Sequence, residues 1–290
     1  MATYNGEGYV RAQIDSILAQ RDDRWHLTVS DDGSTDGTPA ILDEYAARYP
    51  DRITQYRSGR RFGGAKGHFL HLMSRCDAPY MLFCDQDDVW LPDKVGKMLA
   101  ALEGIGGDTP GLVFSDLTPV DEHLAPIAAS MMAYQDQRAE GLDYRALLMQ
   151  NVVTGGAMGV NRALAELVGD VADEKDILMH DGWLAAVAAR FGQIVYLPEA
   201  LSLYRQHGGN SVGARDVRSA GYVARRLASL GGVRQTVLGK KRQAAVFLRL
   251  YGEDPFLRGF VKRRSGPLFY WRYRGLIHGF WRLAGMMICG

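Results

Sequence analysis

HLTVSDDGSTDGT (26–38) sets a short apolar run against a polar turn and then against the start of a helical stretch, and that order decides the fold. HLTVS reads as a strand; the turn gathers donors and carboxylates at its carboxyl end and at the N-terminus of a helix expected from Thr38 to Tyr49. Working outward, Tyr9, Ile14, Ile17 and Leu18 fall at helical spacing before it. ITQYR (53–57), a helix from Ala65 to Arg75 and the buried strand YMLFC (80–84) continue the alternation after it. This order predicts an α/β fold with a mostly parallel sheet flanked by helices, whose ligands lie beyond the carboxyl ends of its strands. The chain opens on MATYNGEG, which reads as a turn, so the sheet is expected to lack its first strand, as from a shortened start.

CDQDDVW (84–90) ends a buried strand on carboxylates, where charge is costly unless something compensates it. Asp85 and Asp87 share one face of an extended segment, which makes them candidate oxygen ligands for Mg²⁺ or Mn²⁺. A solvated loop leading into Pro92 would carry the same residues. Asp31 and Asp32 suit the base or ribose of a nucleotide, or simply cap a helix. MHDGW (179–183) puts Asp181 at the start of an amphipathic helix, as a general base or a cap, and offers Trp183 as a flat platform for a sugar ring. YRQHGGNSVG (204–213) carries Arg205 and His207 on a Gly-rich loop suited to phosphate or metal contact, or to an ordinary turn.

With 290 residues, 47% of them hydrophobic, the chain can bury a sizeable core. Its net charge of +1 hides a division: residues 215–290 hold 16 Lys and Arg against three acids, leaving 18 basic and 30 acidic residues for the rest. Such a basic tail suits a polyanionic partner, and KRRSGPLFYWRYRGLIHGFWRLAGMMICG (262–290) interleaves its charges with aromatics as an interfacial helix on an anionic membrane would. The alternative is a helix packed on the catalytic domain; nucleic acid is disfavoured, because no nucleic-acid-binding fold accompanies the charge. Cys76, Cys84 and Cys289 form no paired framework, and neither a signal peptide nor a spanning segment is legible. The expectation is a cytoplasmic protein, peripheral on the inner face of the cytoplasmic membrane.

In order, MATYNGEGYVRAQIDSILAQ, SDDGSTDGT, CDQDDVWLPDK, NVVTGGAMGVNR, HDGWLA and LYRQHGGNSVG resemble the family 2 glycosyltransferases, in particular their rhamnosyltransferase-like bacterial members. The resemblance implies a GT-A catalytic domain over residues 1–214, with a nucleotide-binding half to about 118 and an acceptor half from 119, followed by a basic helical tail over 215–290. It implies an inverting single displacement from a nucleotide-diphosphate sugar, rhamnose being one candidate, to a glycan or lipid-linked acceptor in cell-surface polysaccharide synthesis. Thr3, Tyr4, Glu7, Asp31, Asp32, Lys66, Asp85, Arg205 and His207 would then meet the donor. Asp85, Asp87 and, with them, His207 would hold the metal; Asp181 would be the base and Trp183 the acceptor contact. Departures from the family pattern are the first strand, Gly182 in place of a second aromatic, and His68, which has no assigned role. Two other readings stay open: a sugar-phosphate nucleotidyltransferase, and a non-catalytic sugar-nucleotide-binding protein docked on membranes.

Overall fold

The computed structural model describes residues 1–208 and 230–262. Strand β1 (Ala2–Thr3) runs parallel to β2 (Leu27–Asp31), with Ala2 opposite Ser30 and Thr3 opposite Asp31, and β3 (Ile53–Gln55) adds in parallel on the other side of β2. The opening residues are therefore strand, which corrects the turn reading. Two paired residues carry no periodicity; main-chain bonding makes the strand, through the Met1 ammonium on the Thr28 carbonyl (2.7 Å) and the Asp32 amide on the Thr3 carbonyl (2.9 Å).

Helices α1 (Val10–Leu18) and α2 (Thr38–Arg48) cover this sheet. Val10, Ile14 and Ile17 from the first meet Ile41, Leu42 and Tyr45 from the second over Val29 and Ile53. Each such aliphatic side chain, fully buried, contributes about 1.5–3 kcal/mol.

A second sheet has the order β4 (Tyr80–Leu82), β7 (Met158–Asn161), β6 (Gly111–Val120), β8 (Gln193–Arg205) and β5 (Val89–Trp90). Here only β6 and β8 run parallel, while β7 opposes β4 and β6, and β5 opposes β8. This sheet is mixed and not mostly parallel; short apolar runs look alike in either direction, so alternation alone does not show which ones reverse. Residues 83–88, the acidic run, join the two edge strands β4 and β5, which brings the carboxylates across the end of the sheet.

The largest core lies under this sheet, among α3 (Ala65–Arg75), α6 (Tyr144–Met149), α7 (Arg162–Val168) and α8 (His180–Phe191). Two further helices join it, α9 (Leu230–Tyr251) and α10 (Pro255–Lys262), through Ala244, Phe247, Leu257 and Phe260. Thus part of the basic region packs into the largest core. The expected domain end at 214 and the interfacial run from 263 onward lie outside the described residues. No helix among those described is long and apolar enough to cross a membrane.

Candidate active site

A cleft of about 880 Å³ opens beyond the carboxyl ends of β1 and β2, and Thr3, Tyr4, Asp32, Asp85, Asp87 and Asp181 all face it. Six of the residues singled out in the sequence are thereby brought together. Tyr4 is 53% exposed, as a residue awaiting a ligand would be. α9, read from sequence as tail, lends Thr236 and Lys240 to the far wall.

Electrostatics concentrates at the acidic run. Burial first, then Asp87 and then Asp181, push the Asp85 carboxyl above the ordinary carboxylate range. Asp88 is fully buried and raised well above that range by burial, Asp85 and Asp87; its Oδ1 accepts the Arg205 amide (3.2 Å), while Oδ2 has no hydrogen-bond partner among the described residues. Four carboxylates, those of Asp85, Asp87, Asp88 and Asp181, thus bear on one another with little solvent to screen them. A hard divalent cation answers that arrangement, and oxygen-rich ligands fit Mg²⁺ or Mn²⁺. Among the described residues no three His, Cys, Asp or Glu side chains form a closed cage. Mg²⁺ needs none, since it takes one or two carboxylates and completes its shell with water and substrate phosphate.

His207 stands beside this pair: its Nε2 lies 2.8 Å from Asp87 Oδ2 and its ring stacks on Tyr9 with centroids 4.5 Å apart. Asp181 lies in the first turn of α8. Burial lifts its carboxyl to about 6, against the opposing pull of backbone hydrogen bonds from Gly182 and Gly155. A carboxylate with that affinity for a proton is placed to take one from a hydroxyl near neutral pH.

Several sequence assignments need correction. Trp183 is 0% exposed and meets Phe247 edge-on at 5.5 Å, so it is a core residue and no sugar platform. It sits one turn into α8, on the face that α9 covers. Glu7 accepts the Gly37 amide (2.9 Å) and its own amide donates to Asp36 (3.0 Å), bracing the first turn against α2 outside the cleft. Lys66 donates to the Glu174 carbonyl (2.7 Å) and is not among the residues that line the cleft. Arg205, 6% exposed, donates to the carbonyls of Asp87 (2.8 Å) and Glu122 (2.7 Å) and so braces the acidic run. Asp31 accepts Thr3 Oγ1 (2.9 Å) and the Gly33 and Ser34 amides (2.9 and 2.7 Å), so it builds the turn. Asp32 faces the cleft, yet its oxygens accept the Phe62 and Gly63 amides (2.5 and 2.8 Å). His68 is buried, stacks on Phe62 at 4.9 Å, and is lowered to about 4 chiefly by burial, hence neutral.

Gln86, between the two metal candidates, was not singled out. Its amide accepts the Tyr4 N–H (2.8 Å) and donates to the Tyr4 carbonyl (3.0 Å), tying the acidic run to the end of β1. A polar residue between two acids was the only available signal.

Residues 1–131 match the family model described as glycosyl transferase family 2. The chain is 28% identical over 94% of its own length, and 94% of the other, to a protein described as dTDP-rhamnosyl transferase RfbG from Shigella flexneri. Among solved structures it is similar to TarS 1–349 from S. aureus in complex with UDP-GlcNAc (15% identity, TM-score 0.59, 94% of this chain and 71% of that one). It is likewise similar to the mannosyltransferase PcManGT from Pyrobaculum calidifontis in complex with GDP-Man and Mn²⁺ (18% identity, TM-score 0.58, 99% and 72%). These structural likenesses establish the GT-A fold.

Proposed function

From the match of residues 1–131 to glycosyl transferase family 2, we propose that this chain is a member of that family and that its cleft carries out an inverting sugar transfer from a nucleotide-diphosphate donor. Thr3 and Tyr4 border the nucleoside at the end of β1, and Asp85 and Asp87, with His207 beside them, would hold Mg²⁺ or Mn²⁺. Bound there, the cation supplies charge neutralisation for the departing diphosphate. Asp181 takes the proton from the acceptor hydroxyl as its oxygen attacks the anomeric carbon. The bond from that carbon to the diphosphate oxygen breaks, and the diphosphate leaves with the electron pair. A single displacement on the opposite face inverts the centre.

The observation that carries this reading is the placement of Asp181, raised to about 6, in the same cleft as Asp85 and Asp87. Likeness to the Shigella protein along nearly the whole of both chains favours dTDP-rhamnose as donor and a glycan or lipid-linked acceptor in polysaccharide synthesis. A nucleotide-binding half to about residue 118 and an acceptor half beyond it follow from the same reading, and the basic run past 262 suits an encounter with a lipid-linked acceptor at an anionic inner-membrane face.

Nucleoside-diphosphate release from a panel of nucleotide sugars, with Mn²⁺ or Mg²⁺, tests the proposal. Asp85→Ala with Asp87→Ala should abolish release while the protein still folds. Full turnover in that double variant, or in excess EDTA, would remove the metal from the reaction; release of pyrophosphate from a nucleoside triphosphate would replace transfer with nucleotidyl transfer.

A further inference from the structure

Lys94 begins helix α4 (Lys94–Ile105), and its side chain is 0% exposed, an unusual place for an ammonium. It points inward, over the Trp90 ring at 4.4 Å, and donates to the Gly156 carbonyl (2.7 Å) and to Ser202 Oγ (2.6 Å). Ser202 belongs to β8 and Gly156 to the turn Gly155–Ala157 that leads into β7. One cation therefore fastens two strands of the mixed sheet to the segment that follows the acidic run. Its charge also acts on Asp88 and Asp85.

The turn it grips touches both halves of the chemistry. Gly155 and Asp181 line the same cleft, and the Gly155 backbone acts on the Asp181 carboxyl to draw its affinity for a proton down. A side chain at Gly155 would come within 2.6 Å of His180 Nε2, and one at Gly156 within 2.7 Å of Asp85 Oδ2 and 3.0 Å of Asp88 Oδ2. At both positions the backbone lies against these groups, so a side chain there would displace them. The base and the acidic run thus rest on adjacent peptide units, and the carbonyl of the second of those glycines accepts from Lys94.

We propose that Lys94 is a positioning residue for the transfer: by holding the Gly156 carbonyl it fixes the Gly155–Gly156 turn, and through that turn the separation between Asp181 and the Asp85 carboxylate. Its catalytic meaning rests on the glycosyl-transfer reading above, whereas its anchoring of the turn does not.

The test is hydrogen exchange together with steady-state kinetics on Lys94→Met, which preserves length and removes the donors. Loss of a charge-assisted bond should speed exchange of the amides of residues 155–157 by about tenfold to a hundredfold. kcat for donor turnover should fall at least about tenfold, with KM for the donor changed less than about threefold, because Thr3 and Tyr4 are untouched. Lys94→Met also takes a positive charge from the surroundings of the buried Asp88, so if that variant does not fold the same measurements are made on Lys94→Met with Asp88→Asn, which removes the neighbouring acid as well. Exchange at 155–157 as in the wild type overturns the anchoring whatever turnover does. Faster exchange with unchanged kcat overturns the positioning role. Absence of donor turnover in the wild type overturns the transfer reading instead, and the exchange result then decides alone whether Lys94 holds the turn.

Discussion

Asp181 joins burial to function at the scale of one side chain. Its carboxyl is raised from 3.8 to about 6, so the folded protein binds that proton more tightly than the unfolded chain does. The stability this confers is present below pH 4 and is lost as pH rises through about 6, amounting to roughly 3 kcal/mol across the interval. Urea midpoints should therefore show Asp181→Asn gaining on the wild type between pH 4 and pH 7, with no such gain if the group titrates normally. Activity runs the opposite way, since the base must be ionised: kcat/KM should fall about tenfold per pH unit below an apparent pKa near 6, a limb that Asp181→Asn, with only residual turnover, lacks. Trp183 gives the contrasting case. Its truncation to alanine empties a core site beside Phe247 and should cost about 3–5 kcal/mol in denaturant unfolding, while Trp183→Phe should leave the acceptor KM unchanged.

Elements differ in how much of themselves a sequence displays. The helix Ala65–Arg75 was legible to the residue, because eleven positions give three turns of periodicity between Gly64 and Cys76. β1 and β5, two residues each, have no period to read, and the antiparallel course of β7 depends on partners distant in the chain. The acidic site was legible for a physical reason: carboxylates at the end of an apolar run conflict with burial unless a cation or donor answers them. Residues that support them were not, since the side chains of Gln86 and Lys94 bind main-chain groups of Tyr4 and Gly156 that any residue possesses. Asp32 belongs with these supports. Its grip on the Phe62 and Gly63 amides shapes the loop before α3, so Asp32→Asn, which turns one acceptor into a donor facing an amide, should speed exchange in residues 62–64. Donor affinity should weaken about tenfold by calorimetry, and unchanged exchange in that loop would return Asp32 to the role of a direct ligand.

Across the whole molecule, the division of charge near residue 214 suggested a catalytic body and a separable tail, yet the apolar face of α9 belongs to the same core as α8. Charge reports the solvent-facing side of a helix and is silent about its inner face, so a basic amphipathic helix looks like an appendage when only its lysines and arginines are weighed. Between Leu230 and Tyr251 the inner face presents Phe247 and Tyr251 to Trp183, Ala244 to the same core, and Thr236 and Lys240 to the cleft. Asp254 then fixes the connection to α10, accepting from Tyr144 and Arg145 on α6 (2.5 and 2.7 Å), and its carboxyl is held at about 2 by those hydrogen bonds against the pull of burial. Cutting the chain at 214 would expose Trp183 and the apolar side of α6 to water, a loss spread over several large side chains of about 1.5–3 kcal/mol each and comparable with the whole stability of a domain. A fragment of residues 1–214 should accordingly be insoluble or melt at least about 10 °C below the full chain, whereas one of residues 1–262 should keep both its melting temperature and its donor turnover. Equal melting temperatures for the 214-residue fragment and the full chain, by calorimetry, would show that α9 and α10 are dispensable and restore the boundary that charge alone suggests.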